Sequence, residues 1–141
     1  MTMNHLALPP VSPETLAAFE AQRPAIVQVT VARCMANPQD VAQHGDQAER
    51  LLTVGLDFTT QAIGVAMRVQ SGELLDQQLQ WGNERLPHDG VAPTHLLSRL
   101  QILAAVIDEL LAPAAAQVVN QYVQRMIVDE QTFIAADVTS Q

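Results

Sequence analysis

The chain has 141 residues, long enough for a single domain to bury a sizeable core without disulfide or metal staples. Its formal charge is −8 and all seven basic residues are Arg, so no basic stripe exists to neutralise a nucleic-acid backbone or an anionic bilayer. Hydrophobic residues make up 48% but aromatics only 4%, a composition that suits close-packed aliphatic helices better than a β-sandwich.

Residues 1–11, with Pro9 and Pro10, read as a flexible lead ahead of one helical domain over residues 12–141. Ser12-Pro13-Glu14 is a helix start, with a capping Ser, Pro at the first helical position and an acid in the first turn. Leu16, Ala17 and Phe19 begin an apolar face, and Pro24 is expected to kink or break it. Ile26, Val27, Thr30, Val31 and Cys34 then recur at helical spacing. Val27, Val29 and Val31 also alternate like a strand, and both readings stay open.

Asn37-Pro38 opens a short helix ending near His44-Gly45, and Asp46 can cap a long one closed by Ser71-Gly72. The core face of that long helix would use Leu52, Leu56, Ile63, Ala66 and Met67, with Gly55, Thr59 and Ala62 allowing close approach. Val54, Leu56 and Phe58 alternate, which admits an α+β alternative at residues 54–60. A shorter helix is expected from Glu73 to Trp81, ending at Gly82-Asn83, with Leu74, Leu75 and Leu79 inward. A turn-rich loop, residues 84–93, follows.

The clearest element is residues 94–112, where Leu96, Leu100, Leu103, Ile107 and Leu110 form an apolar stripe widened by Leu97, Ala104 and Leu111. Thr94 can cap it and Pro113 ends it. It reads as the central helix of an all-α bundle of five to six helices. The last helix, residues 114–136, carries Val119, Tyr122, Met126 and Phe133 at three-four spacing, interrupted by Asp129 and Glu130. That pattern describes a helix leaving the core toward its end.

The chemistry-bearing residues make no recognisable set. His5, His44, His88 and His95 match no metal-ligand spacing, and Cys34 is the only cysteine, so no metal site is expected. Asp108-Glu109 and Asp129-Glu130 read as solvated helix faces, and no nucleophile or phosphate-loop motif occurs, so no catalytic residue is assigned. Trp81, His88 and His95 cluster around the loop before the central helix and are the candidates for the edge of a ligand pocket. Core closure is the plainer role for Trp81. Haem is conceivable only through His95 as an axial ligand, with little aromatic support. Tyr122, Met126 and Phe133 are candidates for either the core or a dimer contact. The first residues lack a cationic segment and a long apolar run, so neither a signal peptide nor a membrane span is expected, and a cytoplasmic location follows.

The order of elements resembles one family. A broken N-terminal helix, a long helix around Gly55, a short helix ending at Trp81 and paired helices 94–112 and 114–136 look like the non-haem globin-type sensor domains of bacterial stress-signalling proteins. The resemblance rests on pattern and length. It implies a homodimeric, non-catalytic regulatory or protein-interaction domain. Such domains usually precede an effector domain, so output here is expected through a separate, unidentified protein partner. A different class, the acidic secretion-type chaperones that hold a partner's unfolded segment, would require the strand at 54–60. A haem-binding or chromophore-binding globin-like protein is the third reading.

Overall fold

A computed structural model describes residues 7–139; His5 lies outside them. The elements are α1 (Pro13–Met35), α2 (Pro38–Val41), a 3-10 segment (Ala42–Gln47), α3 (Ala48–Val69), α4 (Gly72–Arg85), a 3-10 turn (Leu86–Asp89), α5 (Pro93–Leu110) and α6 (Pro113–Thr139). No strand occurs among the described residues, so the fold is all-α. The alternations at 27–31 and 54–60 both lie in helices, which overturns the α+β alternative.

Helix α1 starts as its sequence dictates, with the Thr15 N–H donating to Ser12 Oγ at 3.1 Å. It then runs through Pro24 without a break. A proline inside a helix costs about 3 kcal/mol, because it removes one backbone hydrogen bond and crowds the preceding turn. Here the ring sits on the exposed side. The opposite side buries Phe19, Ile26, Val27, Thr30, Val31 and Cys34 against α3 and α5. That burial, at roughly 1.5–3 kcal/mol for each large side chain, outweighs the proline.

Helix α6, not α5, is the element shared by the whole bundle. It packs against α1, α3, α4 and α5, whereas the main neighbours of α5 are α6 and α1. Val119, Tyr122, Val123, Met126 and Ile127 of α6 meet Leu100, Leu103, Val106 and Ile107 of α5 in the main core. A smaller cluster joins α1, α2 and α3 through Val31, Cys34, Val41, Leu52 and Leu56. The chain ahead of α1 is held from Leu8 onward. Leu8 and Val11 pack on the main core, the Tyr122 hydroxyl donates to Pro9 O at 2.7 Å, and Gln70 Nε2 donates to Leu8 O at 3.0 Å.

Several boundaries differ from the sequence expectation for local reasons. Helix α4 continues through Gly82 to Arg85, because Gly82 is buried among Leu86 and Leu96 and keeps helical geometry. Asp46 caps nothing; Gln47 occupies the cap of α3 without a side-chain bond, after a left-handed Gly45 at φ 58°. Helix α5 begins at Pro93 rather than after Thr94. Its cap residue, Ala92, has no side-chain acceptor. Instead the Ala92 N–H donates to His95 Nδ1 at 3.4 Å, and the His95 N–H donates to Ala92 O at 2.9 Å. A Cβ added at Gly55 would meet nothing outside its own helix within 4 Å, so the close approach along α3 is at Gly64, where a Cβ would lie 2.6 Å from Glu20 Oε1.

Candidate functional site

Helix α3 is apolar on two opposite sides. Leu52, Leu56, Ile63, Ala66 and Met67 face the cores. Leu51, Val54, Phe58, Val65 and Val69 recur at spacings of three, four and seven along the other side, and with Trp81 of α4 they are between 41% and 62% exposed. The Phe58 and Trp81 rings lie 6.4 Å apart, tilted by 36°. Between α3 and α4 runs a groove of about 410 Å³, lined by Phe58, Ala62, Val65, Leu74, Gln77, Gln78 and Trp81. No ionisable side chain lines it. Soluble monomers rarely expose a contiguous apolar patch beyond a few hundred Å², and those that do commonly use it for binding.

The three residues expected to share a pocket are separated. Trp81 closes no core; it stands on the outer face of α4. His88 is exposed in the 3-10 turn. His95 is half-buried, its Nδ1 accepting from Ala92 and its Nε2 3.9 Å from Asp40 Oδ1. Neither of the two grooves described is lined by a histidine.

His95 belongs instead to a polar staple that the sequence did not reveal. Arg99 donates from Nη2 to Asp40 O at 3.2 Å and approaches His44 Nε2 at 3.3 Å, tying residues 40–44 to α5. A guanidinium can only donate, so His44 accepts through Nε2. Burial and the Arg99 charge push the His44 pKa down. Burial pushes the Cys34 thiol up against the opposing pull of Arg99, which keeps it an unreactive core group. This arrangement ties residues 40–44 to α5 through Arg99 Nη2, while the buried Arg99 Nε has no partner.

The dimer candidates divide too. Tyr122 and Met126 are fully buried in the chain's own core and present no surface to a partner. Phe133 is exposed beside a second groove of about 380 Å³, lined also by Asp76, Leu79, Asn83, Glu84, Asp129 and Glu130. Glu130 is not the solvated acid its sequence neighbours imply. It is fully buried, with Oε1 accepting from Asn83 Nδ2 at 2.6 Å and Oε2 unpartnered. Burial pushes its pKa up, only partly offset by the Asn83 bond. Asp76 on the groove's edge pairs with Arg125 at 2.7 Å. Among the described residues no three His, Cys, Asp or Glu side chains converge to hold a metal, and no helix is long and apolar enough to cross a membrane.

The outer stripe of α3 was in principle legible, since positions 51, 58 and 65 are seven apart and 54 and 69 fall on the same side. Its mixture with the inner stripe produced the strand-like alternation instead. Comparison with protein-family models, with curated proteins and with solved structures finds no match to this chain, so likeness to other proteins assigns it no role.

Proposed function

We propose that this chain is a non-catalytic regulatory or protein-interaction module, and that its working surface is the α3–α4 face rather than the loop before α5. One observation carries the reading: six large apolar side chains, Leu51, Val54, Phe58, Val65 and Val69 of α3 and Trp81 of α4, stand exposed on one face. Exposing such a face costs solubility, and covering it on a partner recovers the hydrophobic free energy. The element order that resembles non-haem globin-type sensor domains is compatible with this role. The chaperone reading loses its structural basis, because residues 54–60 are helical.

The test is site-specific photocrosslinking in cells, with a photoreactive side chain at Gln77 on the groove rim and a control at Gln101, which is exposed on α5. A covalent protein adduct formed at position 77 and not at 101 is expected. Its absence at 77 would overturn the reading.

A further inference from the structure

The groove between α4 and α6 carries a second site, independent of the α3–α4 face. A fully buried acid normally has its oxygens bonded and a countercharge beside it. Glu130 has one bond, from Asn83 Nδ2 at 2.6 Å, and its Oε2 is buried without a partner. Glu130 is also one of the residues that line the groove of about 380 Å³.

The charged part of that lining has a single sign. Asp76 and Glu84 of α4 and Asp129 of α6 join Glu130, and no basic residue lines the groove. The neighbouring base, Arg125, is engaged by Asp76, with Nε 3.0 Å from Oδ1 and Nη2 2.7 Å from Oδ2, and it also attracts Asp129. A water molecule supplies a hydrogen bond to Oε2 but no charge, and only a positive charge offsets the removal of a carboxylate from water. We propose that the α4–α6 groove binds a small organic cation, a primary ammonium on a short apolar stem, with Glu130 as its counter-ion.

The rest of the lining matches such a group better than a metal ion. Among the described residues no three His, Cys, Asp or Glu side chains converge to hold a metal. Leu79 offers the stem an apolar contact, and Phe133, 41% exposed, adds an aromatic ring that favours a cation. The volume falls within the range of about 300–1,000 Å³ that small ligands occupy. Oε2 is closed from solvent in the free chain, but the terminal torsion of a Glu side chain is soft, so its carboxyl turns to meet the ammonium without movement of α6. An acid that weakens the free fold is then kept for what it binds.

Nuclear magnetic resonance titration of the isotope-labelled full chain tests this at about pH 8, where an alkylammonium keeps its charge. The probes are n-butylammonium, standing for a free amine, and Nα-acetyl-lysine methylamide, standing for a lysine side chain; n-butanol at equal ionic strength is the uncharged control. Saturable shifts of the Asn83 side-chain amide and of the Glu130 and Phe133 backbone amides are expected, with a dissociation constant on the order of 1 mM or tighter. The tighter of the two cations names the source. Glu130→Gln keeps an acceptor for Asn83 and should weaken binding at least about tenfold, the loss of one charge-assisted hydrogen bond. That variant should also be no less stable than the parent, a combination that unfolding cannot produce. Glu84→Gln, at an exposed acid of the same groove, should weaken binding far less. No shift from either cation at about 20 mM would overturn the site. So would equal shifts from n-butanol, which mark an apolar groove only, or equal losses in the two variants, which mark a diffuse acidic field.

Discussion

Asn83 Nδ2 lies 2.6 Å from Glu130 Oε1, while Glu130 Oε2, on the same fully buried side chain, has no partner. One carboxylate oxygen is therefore solvated by α4 and the other by nothing. Because burial raises the Glu130 pKa, the folded state holds its proton more tightly than the unfolded chain does. The associated stability is fully present below the ordinary carboxyl pKa and is lost as pH rises through the raised folded value. Glu130→Gln keeps an acceptor for Asn83 without a charge. It should stabilise the protein at pH 7 by about 1 kcal/mol or more, and the advantage should vanish by about pH 3, below the ordinary carboxyl range. Urea denaturation at the two pH values measures this; no gain at pH 7 refutes it.

Two glycines of α3 should respond in different ways to the same change. Gly55 has open space around it, so Gly55→Ala should stabilise the helix by about 1 kcal/mol through propensity alone. At Gly64 the added methyl would stand 2.6 Å from Glu20 Oε1 and displace a carboxylate that bridges toward Arg23 and Arg68. Gly64→Ala should gain none of that benefit. Thermal denaturation of the two variants beside the parent chain measures this. Equal midpoints for the two variants would contradict the close α1–α3 approach.

Tyr122 ties the chain ahead of α1 to the centre of the bundle through its bond to Pro9 O. Burial raises the Tyr122 pKa, so the hydroxyl keeps its proton and stays a donor across the ordinary pH range. Tyr122→Phe leaves the ring packed and should cost about 1 kcal/mol, the net worth of one such bond. Amide exchange at Leu8 and Val11 should accelerate while exchange in α5 and α6 stays slow. Unchanged exchange at Leu8 and Val11 would show that these two side chains hold the segment by packing alone.

The parts of the fold that depend on neighbours in sequence were legible from it. Ser12 and Pro13 mark a real helix start, Pro113 lies just past the end of α5 as expected and itself opens α6, and the stripes through Leu100, Leu103 and Ile107 and through Val119, Tyr122 and Met126 are buried as their spacing implies. Pro24 shows the limit of such rules. Its local cost is real, but the burial that overrides it comes from α3 and α5, far along the chain.

The candidate site was less legible, for a physical reason. An apolar side chain looks the same in sequence whether it faces a core or solvent, so Trp81 and Phe58 read as core and Phe133 read no differently from Tyr122. The burial of Glu130 depends on Asn83, 47 residues away, and the grouping of His44, His95 and Arg99 depends on how residues 40–44 fold onto α5. The amino-acid sequence by itself determined the order of the main helices and the stripes that must be hidden, because periodicity is a local property; it left the strand alternative at 54–60 and several helix ends open. Only the tertiary structure decided that α6 lies at the centre and that one acid is buried. It also decided that α3 keeps a second apolar face uncovered, because burial is set by which distant helices arrive and which do not.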